Sequence, residues 1–180
     1  MSNKAVFLDR DGVINKDPGY VHKIEDFELY SDAIKALKLL KDFKLIIVSN
    51  QSGIGRGYYK EEDFHKFNTH LTEELKKQGI KIEKTYFCPH HPDIKCDCRK
   101  PNIKFIKQAE KEFNLDLKNS FMIGDHPHDI EFGQKAGLRS IYLTTGHGIK
   151  HKEDLKKRNV TPDLTTDTLL EAARWILAQK

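Results

Sequence analysis

Two carboxylates stand two residues apart in the stretch Phe-Leu-Asp-Arg-Asp-Gly, residues 7–12. Side chains alternate along extended backbone, so Asp9 and Asp11 can enter one pocket if the chain turns after Asp9. Gly12 permits such a turn. A pair of this kind can share a cation, or divide nucleophilic from acid–base work. Read alone, the same residues also suit an ordinary polar loop that closes a strand. Asp125, in Met-Ile-Gly-Asp, adds a third carboxylate at the end of another apolar run. Three clustered carboxylates repel one another unless a cation neutralises them, and hard oxygen ligands favour Mg2+. By itself Asp125 also suits a helix N-cap. Asp129 is open between that cluster and the first turn of the same helix, where its charge suits the dipole.

A hydroxyl, an amide and a glycine-rich turn follow in Ile-Val-Ser-Asn-Gln-Ser-Gly-Ile-Gly-Arg-Gly, residues 47–57. Ser49 and exposed backbone N–H groups can hold phosphate oxygens, although the same residues also make a generic turn. Arg56, in the same loop, is a candidate for a second anionic group, set against a solvated loop arginine.

All three cysteines fall in residues 88–101, a loop that also holds His90 and His91. Cys88 and His90, then Cys96 and Cys98, offer four soft or borderline ligands, which favour tetrahedral Zn2+. Four protein ligands leave no open coordination position, so such a zinc is structural. The symmetric spacing favours His90 over His91, and buried cysteines with surface histidines are the alternative. Arg99 and Lys100 directly follow the last ligand. A metal-fixed loop is a rigid support for a catalytic cation, which points to Lys100.

The elements that must position these residues alternate along the chain. Apolar or β-rich runs predict strands at 5–9, 45–50, 85–89, 120–125 and 139–146. Helical periodicity predicts helices at 33–43, 61–79, 102–114, 128–137 and 168–180. Segments 12–31 and 145–167 lack periodicity and read as surface loops. Alternating strands and helices imply an α/β domain over residues 1–180, with a mostly parallel central sheet and helices on both faces. Ligands bind such open sheets beyond the carboxyl ends of the strands. Asp9, Asp11, Ser49, Asn50, the cysteine loop and Asp125 all fall there.

The net charge of +4 is scattered over helical faces. Without a dense basic block interleaved with aromatics, nucleic acid is not the expected partner. No apolar run reaches the ~18 residues of a membrane span, and Asp9 and Arg10 interrupt the N-terminal apolar stretch where a signal peptide would continue. A cytoplasmic protein is expected. There, thiols stay reduced; Cys96 and Cys98 are too close for an unstrained bridge, and the odd count leaves one unpaired.

Taken together, these motifs resemble the haloacid dehalogenase superfamily of phosphotransferases. Asp9-Arg10-Asp11-Gly12 is similar to its first motif, Ser49 to its second, Lys100 to its third and Gly124-Asp125 through Asp129 to its fourth, in order over residues 5 to 145. Within the superfamily the chain resembles the zinc-containing phosphatases without a large cap domain, a group that acts on heptose bisphosphates and on histidinol phosphate. Residues 19–22, 50–57 and 88–92 look like the heptose enzymes, whereas the short spacing from His90 to Cys96 is closer to the histidinol-phosphate form. Position 126 is His where the group usually carries Lys or Arg.

The resemblance implies a three-layer Rossmann-like fold and Mg2+-dependent removal of the C7 phosphate from D-glycero-D-manno-heptose 1,7-bisphosphate, within nucleotide-activated heptose biosynthesis. The alternatives are a histidinol-phosphate phosphatase and a non-catalytic phosphate-binding module. Asp9 is implied as nucleophile and Asp11 as acid–base. Asp9, the main-chain carbonyl of Asp11, and Asp125 are implied as Mg2+ ligands. Ser49 and Lys100 would bind phosphoryl oxygens, and Asn50 would position the nucleophile loop. Arg56 and Arg99 are candidates for the distal phosphate. The expected partner is a phosphorylated sugar, and the expected state a monomer.

Overall fold

The computed structural model describes residues 3–179. In chain order its elements are β1 (Ala5–Leu8), α1 (Ala33–Leu39), β2 (Lys44–Asn50), α2 (Ser52–Gly55), α3 (Glu61–Lys77), β3 (Ile82–Cys88), α4 (Lys104–Phe113), β4 (Phe121–Gly124), α5 (Pro127–Lys135), β5 (Arg139–Leu143), α6 (Gly148–Lys157), β6 (Leu164–Thr166) and α7 (Leu169–Ala178). The strands form one sheet in the order β3-β2-β1-β4-β5-β6. Every pairing is parallel, with Leu8 opposite both Ile47 and Ile123.

The period of two along each strand splits the core into two layers. Val6, Leu8, Leu45, Ile47, Phe121 and Ile123 pack under α1, α3 and α7. Ala5, Phe7, Ile46, Val48 and Met122 pack under α4 and α5. The fold is therefore a three-layer α/β sandwich around an open sheet. β1 is buried along its whole length, which is why it reads as an unbroken apolar run.

α3 illustrates how the helices form. Phe64, Phe67, Leu71 and Leu75 face inward at helical spacing, each buried side chain contributing roughly 1.5–3 kcal/mol. Glu61, Glu62 and Asp63 occupy its first turn and Lys76 and Lys77 its last, matching the dipole. The Asp63 carboxylate accepts from the Lys60 amide at 2.9 Å. Gln78 caps the helix, and Gly79 follows with φ +77°.

Three expectations need correction. Segment 145–167 is not a loop: it contains α6 and the sixth strand, β6. Within α6 only Gly148 and Leu155 are buried, and β6 is a three-residue edge strand, so neither leaves an apolar period. Segment 12–31 is not wholly a surface loop, because Val13, Ile14 and Val21 are buried and Asn15 bridges to both Asp11 and Leu29. β3 starts at Ile82, ahead of the expected residue 85; as the opposite edge strand it tolerates polar residues there. Lys180, the expected end of the last helix, lies outside the described residues.

Candidate active site

The strand order runs outward in opposite senses from β1 and β4, and the crevice opens where it reverses. Asp9 leaves β1 still in register, its amide donating to the Ile123 carbonyl at 2.9 Å. Gly12 then turns back with φ +82°, and a Cβ there would lie 2.1 Å from Asp125 Oδ2. Only glycine lets the first loop pass so close to the third carboxylate. Asp125 directly follows β4, is 2% exposed, and accepts the His147 amide at 2.7 Å.

Asp129 joins them. It stands in the first turn of α5, where Oδ2 accepts the His126 amide at 3.0 Å. Its carboxylate nevertheless lies with those of Asp9 and Asp125, one oxygen of each within 4.8 Å of the others. One side chain thus serves both readings left open by the sequence. Lys100 Nζ reaches into the group, 2.7 Å from Asp129, 3.1 Å from Asp9 and 2.7 Å from the Val48 carbonyl.

Three largely enclosed carboxylates against one ammonium leave surplus negative charge. Burial, reinforced by Asp129 and Asp11 and only partly offset by Lys100, pushes Asp9 up to about 7. Burial and the charge on Asp9 likewise hold Asp125 well above the usual carboxylate range. Burial works against the charge on Lys100, but Asp129 and Asp9 outweigh it and raise its pKa. Convergent hard oxygens carrying uncompensated charge fit a divalent cation such as Mg2+. The side chains that could hold it are Asp9, Asp125 and Asp129, one carboxylate more than the sequence suggested.

Asp11 is held apart from this cluster. Arg10 Nε and Nη2 each donate to its carboxylate at 2.8 Å, Asn15 Nδ2 donates at 3.0 Å and Gln51 Nε2 at 2.8 Å. Arg10 is fully buried, its guanidinium 4.6 Å from the Phe67 ring centroid and 5.3 Å from that of Phe64. Gln51 also donates to Ser49 Oγ at 2.7 Å and accepts from Tyr59 Oη at 2.6 Å. Arg10, Gln51 and Tyr59 were not found by sequence reasoning.

Asn50 takes a different part from the one expected. Its Oδ1 accepts the Lys100 amide at 3.0 Å and its Nδ2 donates to the Lys100 carbonyl at 3.4 Å. It therefore clamps the exit of the cysteine loop to β2, rather than the Asp9 loop. The Lys100–Pro101 peptide bond is cis.

In that loop Cys88 Sγ lies 3.1 Å from Cys98 Sγ and 3.6 Å from Cys96 Sγ, and His90 Nδ1 is 3.4 and 3.2 Å from Cys88 and Cys98. His91 turns away, its Nδ1 accepting the Asp93 amide at 3.2 Å. Burial and the neighbouring thiols push Cys88 up to about 12, so a cation is needed to gather three thiolates there. Three sulfurs and one imidazole nitrogen fit Zn2+ in a closed site. α2 locks the loop from outside: a Cβ on Gly55 would fall 2.1 Å from the His91 amide nitrogen.

Comparison with known proteins places this geometry. A family model described as HAD-hydrolase-like matches residues 97–172. The D-glycero-alpha-D-manno-heptose-1,7-bisphosphate 7-phosphatase of Campylobacter jejuni is 48% identical over 145 residues, 79% of this chain and 83% of that protein. The D-glycero-beta-D-manno-heptose-1,7-bisphosphate 7-phosphatase of Haemophilus ducreyi is 38% identical over 98% of this chain and all of its own. The chain belongs to the heptose-1,7-bisphosphate 7-phosphatase family. A solved D,D-heptose 1,7-bisphosphate phosphatase from B. bronchiseptica, complexed with magnesium and phosphate, superposes with TM-score 0.87 at 25% identity over 98% of this chain and 99% of that one.

In this chain the cleft above the acid cluster holds about 560 Å3 and is lined by Asp9, Asp11, Ser49, Asn50, Arg99, Lys100, Asp125 and Asp129, among others. Arg56 is absent from it. It is the exposed C-cap of α2, turned to solvent, and is not brought to the site. Arg99 does line the cleft, with one Nη donating to the His90 carbonyl. Four histidines complete the far side, of which the sequence had singled out only His126: the others are His128, His147 and His151. Burial and neighbouring positive charge push His126 and His128 down to about 4.

Proposed function

We propose that the protein is a phosphomonoester hydrolase that removes the C7 phosphate of D-glycero-D-manno-heptose 1,7-bisphosphate. The observation that carries this reading is family membership over nearly the whole chain, combined with Asp9, Asp125, Asp129 and Lys100 meeting at the sheet's switch point. Histidinol phosphate and a purely binding role are not favoured, since the relatives named above are heptose bisphosphatases.

Asp9 attacks phosphorus through a carboxylate oxygen, the ester oxygen leaves, and an aspartyl-phosphate forms. Asp11 gives that departing oxygen its proton, then takes one from the water that cleaves the intermediate. Arg10 and Gln51 hold Asp11 in place for both steps. Lys100 and Ser49 bind the transferring oxygens, and Gln51 joins Ser49 to Asp11 so that the two roles keep a fixed relation. Asp9, Asp125, Asp129 and the Asp11 carbonyl would hold Mg2+, which would supply charge compensation for the phosphoryl group. Cys88, His90, Cys96 and Cys98 would hold Zn2+, which would fix the loop that presents Lys100.

The test is Mg2+-dependent phosphate release from both anomers of the bisphosphate and from histidinol phosphate. Asp9→Asn keeps the fold and loses at least about 10³-fold in kcat, in keeping with the loss of a nucleophile. Residual turnover within tenfold of wild type would remove Asp9 from that role.

A further inference from the structure

The turn between α2 and α3 delivers Tyr59 to the wall of the cleft. Its ring is buried and seated on Gly53, where a Cβ would fall 2.2 Å from Tyr59 Cε1. The Tyr58 amide donates to the Gly53 carbonyl at 2.9 Å, which ties the turn back onto α2. The Tyr59 ring also stacks with the His22 imidazole, centroids 4.5 Å apart and planes inclined by 11°. Packing thus fixes where the phenol can reach, and its Oη donates to Gln51 Oε1 at 2.6 Å. Burial raises the pKa of Tyr59 above the ordinary tyrosine value, so the hydroxyl keeps the proton that it donates.

Gln51 has little freedom left. Nε2 spends one hydrogen on Asp11 Oδ2 at 2.8 Å and the other on Ser49 Oγ at 2.7 Å, while Oε1 accepts from Tyr59. The residue is 3% exposed, so without the phenol Oε1 becomes a buried acceptor short of a donor. The last torsion of a glutamine is soft, and turning the amide toward another donor swings Nε2 off both acceptors. Those acceptors do not depend on Gln51 equally. Ser49 lies within β2, and the strand sets its position. Asp11 stands in the loop after β1, and of its side-chain partners Arg10, Asn15 and Gln51, it is Gln51 that lines the cleft. A departing oxygen must meet the Asp11 proton within hydrogen-bond reach, so a small displacement of that carboxylate is felt in proton transfer.

We infer that Tyr59 is a positioning residue for proton transfer: through Gln51, its hydroxyl holds the Asp11 carboxylate where the leaving oxygen collects its proton. This rests on the reading of Asp11 as the acid–base group.

Leaving groups separate this role from a structural one. A sugar alkoxide needs a proton to depart, whereas 4-nitrophenolate leaves as a stable anion. The experiment measures kcat/KM with Mg2+ for two alkyl esters, heptose 1,7-bisphosphate and glycerol 2-phosphate, and for 4-nitrophenyl phosphate, and takes each alkyl-to-aryl ratio. In Tyr59→Phe, which keeps the ring, both ratios fall about tenfold, through kcat rather than KM for the alkyl esters. Tyr59→Phe adds no further loss to Gln51→Ala, because both act through one amide. Tyr86→Phe, which removes a hydroxyl bonded to Glu112 and does not line the cleft, keeps the wild-type ratios. The inference is overturned if Tyr59→Phe keeps the wild-type ratios, lowers alkyl and aryl esters alike, or adds its full loss to that of Gln51→Ala. Asp11→Asn tells the two failures apart. If its ratios stay at the wild-type value, the acid–base reading of Asp11 falls and takes the role of Tyr59 with it. If they collapse while those of Tyr59→Phe do not, only the role of Tyr59 falls.

Discussion

Arg10 is the side chain on which Asp11 most depends. A guanidinium with no exposed surface is costly, and here Nε and Nη2 are spent on one carboxylate and aromatic rings cover its face, while Nη1 has no hydrogen-bond partner among the described residues. Arg10→Met keeps the volume and removes both bonds, leaving Asp11 short of partners. A loss of roughly 2–4 kcal/mol is expected, seen as a lower urea midpoint at unchanged slope. The kcat pH profile shifts as well, an effect that a structural arginine remote from the chemistry would not produce. The acids were legible because carboxylates are seldom buried unpaired and each follows an apolar run, and the thiols because all three fall within eleven residues beside His90. Arg10 and Gln51 were not, because their meaning lies in partners: Gln51 meets Asp11 from 40 residues away. Asp129 was half-visible, since an acid in a helix's first turn has an ordinary explanation that is also true here.

Among elements, the short helix α2 carries more than its length suggests. It packs on the cysteine loop so closely that Gly55 has no room for a side chain, while Asn50 at the end of β2 grips the loop's exit at Lys100. Gly55→Val therefore pushes against loop backbone rather than against a flexible side chain. It is expected to cost about 1–3 kcal/mol. Zinc should leave this variant faster than wild type on addition of a chelator, with kcat falling in step as Lys100 loses its support. Equal zinc-release rates would show that α2 does not brace the loop. The central strands were legible from sequence because burial on both faces writes an unbroken apolar run. The two edges of the sheet, β6 and the first residues of β3, were missed or misplaced because half-exposed strands need no such pattern. The charged helix α6 escaped for the same reason, and with it three of the residues that wall the cleft.

Across the whole molecule, two sets of titrating groups pull stability in opposite directions. Asp9 has its pKa raised from 3.8 to about 7 in the metal-free fold, so the fold holds a proton that the unfolded chain has lost. Its contribution is complete below pH 3.8 and disappears as pH rises through 7. His126 and His128 are depressed from 6.5 to about 4, so their contribution is present above pH 6.5 and disappears as pH falls toward 4. Mg2+ competes with the proton for Asp9 and Asp125. Thermal unfolding with and without Mg2+ should show its stabilisation growing from pH 5 to pH 7.5. With saturating Mg2+, the melting temperature should rise with pH between 4 and 6.5 under the control of the histidines. A magnesium effect independent of pH would mean that the carboxylate cluster does not hold the ion.

The pairing of β1 with β4 has a consequence for the life of the chain before it is complete. Ala5 bonds Ser120 across 115 residues, and Leu8 finds Ile123 as its neighbour. During synthesis Asp9 precedes Asp125 by 116 residues and His147 by 138. A nascent chain thus carries Asp9, the proposed nucleophile, without the carboxylates that the fold sets beside it until β4 and α5 have been made, and a product truncated before β4 should show no turnover of phosphate esters. On the proposed mechanism turnover begins only when β4 closes against β1, so activity reports that the sheet has assembled at least through β4.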